Sequence, residues 1–312
     1  MPAVLLTRRL PSSALRILRE VADVDVADVP LDAAALRDAV KGRDALVTML
    51  TDKVDDNLLA AGAPTLKVVA NVAVGYDNID VAAARTRGVV VTNTPDVLTE
   101  SVAEFTWGLI LAITRRLGEA ERLLRRGDWK GWSFDFMTGT ELSGKQLGVI
   151  GTGRIGRAVA RRADAFGMRV VFGGRRAGET IDGFPVESVE DAVTQSDVVS
   201  LHVPLRPDTR HLIDAAVLSR MKQSAYLINT ARGPVIDEGA LATALAERRI
   251  AGAALDVFER EPVVHPGLLE LENVLLVPHL GSATEETRAA MAELAARNVA
   301  AVLTGQPPLT PL

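Results

Sequence analysis

Between Gln146 and Gly167 the sequence reads QLGVIGTGRIGRAVARRADAFG. An apolar strand breaks into Gly151-x-Gly153-x-x-Gly156 and reopens as a helix with Ile155, Val159 and Ala163 on one face. Three glycines at that spacing are a weak signal alone. Set between strand and helix, they form the turn that receives a dinucleotide pyrophosphate. Gly151 permits the tight turn, Gly153 lets backbone approach the phosphates, and Gly156 lets helix pack on strand. The helix start adds unpaired N–H groups and the positive end of a dipole. Such a turn needs a parallel sheet around it, so it restricts the chain to an α/β architecture.

The rest of the sequence agrees. Short β-rich runs at Ala3–Leu6, Asp23–Val26, Ala45–Thr48, Lys67–Ala70 and Val89–Thr92 alternate with helical patterns. A second series follows at Gln146–Ile150, Arg169–Phe172, Val198–Leu201, Ala225–Asn229, Gly252–Asp256 and Val274–Val277. The expectation is two Rossmann-like, doubly wound parallel-sheet domains with an interdomain cleft. Residues 1–98 with 282–312 would form the substrate-binding domain and 99–281 the dinucleotide-binding domain. A chain that crosses twice invites hinge closure over substrate. Ser101 with Glu104, and Ser282 with Glu285, have capping-box spacing before long helices. The aromatic stretch Gly127–Gly139, with Trp129, Trp132, Phe134 and Phe136, reads equally as an oligomer contact or as a loop folded onto its own domain.

A net charge of −5 advertises no basic face, which argues against nucleic acid as a partner. With no cysteine, disulfides and thiol catalysis are excluded, and four scattered histidines make a poor metal-ligand set. MPAVLLTRRLPSS lacks the order of a signal peptide, and Phe105–Ile113 is too short to span a bilayer. The expected setting is the cytoplasm, with no membrane partner.

Cofactor choice should be written just past the second strand of the dinucleotide domain. An NAD enzyme places Asp or Glu there to accept from the ribose 2′-hydroxyl. Here Gly174 holds that position and Arg175 and Arg176 follow. Two guanidinium groups without a carboxylate suit a 2′-phosphate, so NADP(H) is expected as the preferred cofactor, with NAD(H) possible.

Three later segments join strand-like runs to polar residues: LINTARGPVID with Arg232, ALDVFEREP with Asp256, Glu259 and Glu261, and LLVPHLGSAT with His279. Ligands of open α/β sheets bind beyond the carboxyl ends of strands, where Arg232, Glu261 and His279 can converge. Reducing a ketone takes a hydride and a proton. A His delivers the proton near neutral pH, a carboxylate orients the imidazole, and an Arg polarises the carbonyl and binds a carboxylate. His202 reads as structural, and His211 and His265 as loop residues without an identifiable partner.

On TARG, DVFEREP, PHLGSAT and NVAVGYDNID, the chain resembles the D-isomer-specific 2-hydroxyacid dehydrogenases over nearly its whole length, and among them the glyoxylate/hydroxypyruvate reductase branch. The resemblance implies His279 as proton donor, Glu261 as its partner and Arg232 as substrate ligand. It implies that backbone N–H groups of Val74 and Gly75 bind the substrate carboxylate, that Leu50 and Thr51 shape the pocket, and that Ser282 lies at it. Cofactor contacts carry over to Thr99, Arg154, Ile155, Val203, Pro204, Thr209, Thr230, Ala231, Asp256 and Gly281, with Asp256 facing the nicotinamide carboxamide. It also implies a homodimer. The expected activity is reduction of a small 2-oxo acid, glyoxylate or hydroxypyruvate, to the D-2-hydroxy acid. Two alternatives stay open: a same-fold dehydrogenase for phosphite, D-lactate or a bulkier 2-oxo acid, and a dinucleotide-sensing binding protein of the co-repressor type.

Overall fold

The computed structural model describes residues 1–312, and the chain divides into two compact units, Met1–Leu98 with Ser282–Leu312, and Thr99–Gly281. In the first unit β1 (Ala3–Leu6), β2 (Asp23–Val26), β3 (Ala45–Thr48), β4 (Val68–Asn71) and β5 (Val90–Thr92) form a parallel sheet in the order β2-β1-β3-β4-β5. Ala45–Thr48 and Val68–Asn71 are buried throughout, as continuous apolar runs covered on both faces must be. Leu46, Leu58, Leu59, Val69 and Val91 belong to one core cluster of this unit. The helix Glu285–Leu303 returns to pack along the helix Ser12–Arg19.

The second unit contains β6 (Gln146–Ile150), β7 (Arg169–Gly173), β8 (Thr180–Ile181), β9 (Phe184–Glu187), β10 (Val198–Leu201), β11 (Tyr226–Asn229), β12 (Gly252–Leu255) and β13 (Val274–Leu276). Their order is β13-β12-β11-β10-β6-β7-β9-β8, parallel except for the β8–β9 pair. Strand order reverses between β6 and β10, which is where a doubly wound sheet opens a crevice for its ligand. The register is even: Gly173, Ile150, Leu201, Asn229, Leu255 and Leu276 pair in one rung across six strands. The residues that follow them therefore emerge along a single edge.

Two expected caps differ. The helix from Thr99 to Thr114 begins before Ser101, whose Oγ instead donates to the Gly281 carbonyl at 3.0 Å. The C-terminal helix is capped by Thr284, whose Oγ1 accepts the Thr287 N–H at 3.1 Å, so Ser282 is not its cap. Trp107 is also set apart from the other tryptophans: it is buried, stacks on Phe166 and donates its indole N–H to the Val159 carbonyl. Trp129, Trp132, Phe134 and Phe136 are exposed. No helix is long and apolar enough to cross a membrane.

Candidate active site

Along that edge of the second sheet, β6 ends at Ile150 and the chain turns at Gly151 with φ +110°. A Cβ on Gly151 would lie 2.5 Å from the His202 carbonyl oxygen, and one on Gly156 would lie 2.3 Å from the Gly151 oxygen. Both positions exclude side chains. A Cβ on Gly153, by contrast, would meet no atom within 4 Å. Gly153 starts the helix Arg154–Arg162, whose first N–H groups, including those of Arg154 and Ile155, have no acceptor within the helix. A glycine facing open space at a helix start is a cradle suited to a pyrophosphate, and it fits the dinucleotide expected there.

Gly174, just past β7, lies against this turn, since its Cβ would stand 3.8 Å from Thr152 Cγ2. Arg176 donates to Thr152 Oγ1 at 3.2 Å and lies 3.6 Å from Glu179. Arg175 is ion-paired with Asp208 in the loop after β10. In the same loop Thr209 Oγ1 donates to the Pro204 carbonyl at 2.7 Å, and Val203 packs against the core. The structure thus brings both arginines and the Pro204–Thr209 loop to the glycine turn. Thr99 opens its long helix, and Thr230 Oγ1 lies 3.0 Å from Thr106 Oγ1 on that helix.

Arg232 follows β11 on a loop whose shape Asn229 holds, accepting the Ala231 N–H and donating to the Arg232 carbonyl, both at 3.0 Å. Its neighbour Gly233 has no room for a side chain: a Cβ would overlap the Phe258 carbonyl at 1.9–2.0 Å. The loop bearing Arg232 and the loop bearing Glu261 are therefore pressed backbone to backbone.

His279 Nδ1 lies 2.9 Å from Glu261 Oε2. An ionised carboxylate only accepts, so Nδ1 carries the hydrogen and Nε2 is the ring nitrogen outside this contact. Glu261 Oε1 accepts the Phe258 N–H at 3.1 Å. Burial pushes the Glu261 carboxyl up, but the hydrogen bond and charge of His279, the Phe258 N–H and the charge of Arg232 outweigh it and hold it below its ordinary value. His279 itself sits at φ +55°, a conformation that non-glycine residues rarely adopt. It is held there by its N–H to the Asp256 carbonyl at 2.9 Å, and by the Asp256 carboxylate, which accepts the Leu280 and Gly281 N–H groups at 2.6 and 2.9 Å. Asp256 is 1% exposed, and burial pushes its carboxyl above its ordinary value despite those two donors. Its observed contacts make it the clamp of the His279 loop.

A second cluster stands behind the Glu261 loop. Glu238 Oε1 accepts the Glu259 N–H at 2.5 Å and Glu259 Oε2 accepts the Glu238 N–H at 3.4 Å. His211 Nε2 lies 2.6 Å from Glu259 Oε1, so His211 has a partner that sequence reading did not identify, 48 residues away. His265 likewise caps the helix Pro266–Leu269 through Nδ1. At His202, burial pushes the pKa down to about 3, and Nε2 lies 2.8 Å from Ser200 Oγ.

In the first unit, Leu50, Thr51, Val74 and Gly75 lie on loops beyond β3 and β4, and Ser282 accepts Arg288 Nε through its carbonyl at 3.4 Å.

Residues 107–281 match the family described as "D-isomer specific 2-hydroxyacid dehydrogenase, NAD binding domain". The chain is 49% identical to a glyoxylate reductase of Thermofilum pendens, over 98% of this chain and 93% of that protein. It is 48% identical to a glyoxylate reductase of Aeropyrum pernix, over 98% and 94%. Among solved structures, the NADPH-dependent glyoxylate/hydroxypyruvate reductase of Sinorhizobium meliloti, in complex with NADP and malonate, superposes with a TM-score of 0.90 at 38% identity, covering 100% of this chain and 96% of that one.

Proposed function

The chain belongs to the D-isomer-specific 2-hydroxyacid dehydrogenase family, and from that premise we propose that it reduces glyoxylate or hydroxypyruvate with NADPH, using His279 as proton donor. It is an NAD(P)-dependent oxidoreductase of the glyoxylate reductase branch, and it acts on a 2-oxo acid. The observation that carries the finer reading is the His279–Glu261 contact of 2.9 Å beside Arg232, at the edge where the glycine turn also opens.

A bound reduced nicotinamide supplies the hydride. Arg232 draws charge toward the substrate carbonyl oxygen, which takes up negative charge as the bond forms. His279 Nε2 delivers the proton to that oxygen, while the Glu261 carboxylate holds the ring in place through Nδ1. Gly151, Gly153 and Gly156 hold the pyrophosphate. Arg175 and Arg176 take the 2′-phosphate, supported by Gly174 where an acidic residue would repel it. Val74 and Gly75 donate to the substrate carboxylate, with Leu50, Thr51 and Ser282 shaping its surroundings. A homodimer is part of the proposal, supported by the exposed aromatic stretch Trp129–Phe136. So is a cytoplasmic setting, which a cysteine-free chain fits.

The test is oxidation of NADPH and of NADH against a panel of 2-oxo acids, with phosphite and D-lactate run in the oxidative direction. Highest kcat/KM with NADPH and glyoxylate or hydroxypyruvate is expected. His279→Ala should lower turnover by roughly 10²–10⁴-fold. Dinucleotide binding without turnover on any substrate, or near-normal turnover in His279→Ala, would defeat the reading.

A further inference from the structure

In the first unit the rung Val26, Leu6, Val47, Ala70 and Thr92 runs in register across five strands. One step beyond it come Thr7, Thr48, Asn71 and Asn93, all buried polar residues on adjacent strands. Four buried polar side chains at one sheet edge are costly unless each is engaged. Their engagements converge on two loops.

Three consecutive carbonyls past β4 are anchored from behind. The Ala73 oxygen accepts the Thr94 N–H at 2.9 Å, the Val74 oxygen accepts Asn93 Nδ2 at 2.8 Å, and the Gly75 oxygen accepts Asn71 Nδ2 at 2.8 Å. In a planar trans peptide the N–H points opposite to the C=O. Each anchor therefore also aims the next N–H: those of Val74, Gly75 and Tyr76, in that order. None of those three N–H groups donates to an acceptor in the chain. Three successive unpaired N–H groups whose carbonyls are held from the other side are donors available to an anion.

The same amides reach the neighbouring loop. Asn71 and Asn78 exchange side-chain hydrogen bonds at 3.2 and 3.3 Å, Thr48 Oγ1 donates to Asn71 Oδ1 at 3.2 Å, and Asn78 Nδ2 also reaches the Met49 and Asp52 carbonyls at 3.1 and 3.0 Å. Asp52, 5% exposed, accepts the Met49 N–H at 2.8 Å and Thr7 Oγ1. The Met49–Asp52 segment that carries Leu50 and Thr51 is thus tied to the Val74–Tyr76 segment through two asparagines.

We propose that Asn71 and Asn93 are positioning residues that aim the Val74, Gly75 and Tyr76 N–H groups at the substrate carboxylate, and that Asn78 locks the Leu50–Thr51 loop to the same register. This rests on the reading that Val74 and Gly75 receive that carboxylate, and it adds Tyr76 as a donor and three amide side chains as the frame. Neutral amides suit this role, because they hold carbonyls without placing a charge behind the donors.

Asn93→Leu keeps the shape and charge of the side chain and removes the donor. KM and kcat are measured for glyoxylate and for its uncharged amide, with KM for NADPH and the melting temperature alongside. The wild type is expected to prefer acid over amide. In Asn93→Leu the glyoxylate KM should rise roughly tenfold, as for a mispositioned donor to a charged group, while the amide and NADPH values move by less than about twofold. Partial return of the glyoxylate KM in Asn93→Gln would support positioning. Should Asn93→Leu fail to fold, Asn93→Ala carries the same expectation. A wild type that does not distinguish acid from amide overturns the carboxylate reading and the proposal with it. A wild type that distinguishes them, with a variant that keeps the same KM and the same preference, overturns the proposal alone.

Discussion

The hydrogen on Nδ1 of His279 is accepted by one oxygen of Glu261, so one carboxylate sets both the tautomer and the angle of the ring. That carboxyl titrates below its ordinary value of 4.5 in the folded chain, because His279, Phe258 and Arg232 together outweigh its burial. The sign follows from linkage. A depressed carboxyl stabilises the fold fully above its unfolded pKa, and that contribution is lost as pH falls through the lower, folded value. Glu261→Gln should therefore flatten the acid limb of melting temperature against pH below about 4.5 and bring the variant closer to wild type there than at neutral pH. Scanning calorimetry from acid to neutral pH reads this directly, and an unchanged acid limb would reject the pairing. His279 and Glu261 were legible in the sequence because their segments carry unusual polar residues after apolar runs. The hydrogen bonds of Asp256 were not. A residue name does not tell that a carboxylate accepts two N–H groups of a loop 24 and 25 residues further along the chain.

Elements explain which parts of the site could be read and which could not. The glycine turn is local: strand, turn and helix start lie within about a dozen residues, so spacing alone shows it. The Ser101–Glu104 and Ser282–Glu285 spacings are equally local and misled, because the helices start at Thr99 and Glu285 and Ser101 is used by the Gly281 carbonyl instead. The His211–Glu259 contact spans 48 residues and the Gly233–Phe258 backbone approach 25, and no periodicity encodes either. At the loop after β7, Arg175 is paired with Asp208 and Arg176 reaches Thr152. Both are exposed, so neither partner holds its arginine strongly. Replacing both arginines with serine should raise the KM for NADPH on the order of tenfold or more, as loss of charge-assisted bonds does, while that for NADH moves little. Equal losses for the two cofactors in steady-state kinetics would remove the 2′-phosphate assignment.

At the scale of the molecule, the two sheets were legible because nearly every strand is a short apolar run bounded by turn residues, while β8 and β9 were not, since Thr180–Ile181 and Phe184–Glu187 carry little apolar pattern. The stretch between the helix Leu117–Arg125 and β6 was open between two readings, and the structure leaves Trp132 81% and Phe134 91% exposed. Rings so exposed in a stretch with Trp129 and Phe136 are the material of an interface core. Light scattering should return twice the chain mass for wild type and a lower mass for the double variant Trp132→Ser, Phe134→Ser; a monomeric wild type would reject the dimer. The far end of the sequence, QPPLTPL, is proline-rich and cannot extend the last helix. In the fold Leu312 donates its N–H to the Val91 carbonyl, and Thr310 both accepts the Asn93 N–H and donates its hydroxyl to the Asn93 carbonyl. Thr310 is held in turn by Asn298, whose Oδ1 accepts its N–H at 3.0 Å. Anyone trimming those last residues to tidy an expression clone would be cutting the strap that steadies Asn93, and would meet the damage as poor grip on the acid, far along the chain from the scissors.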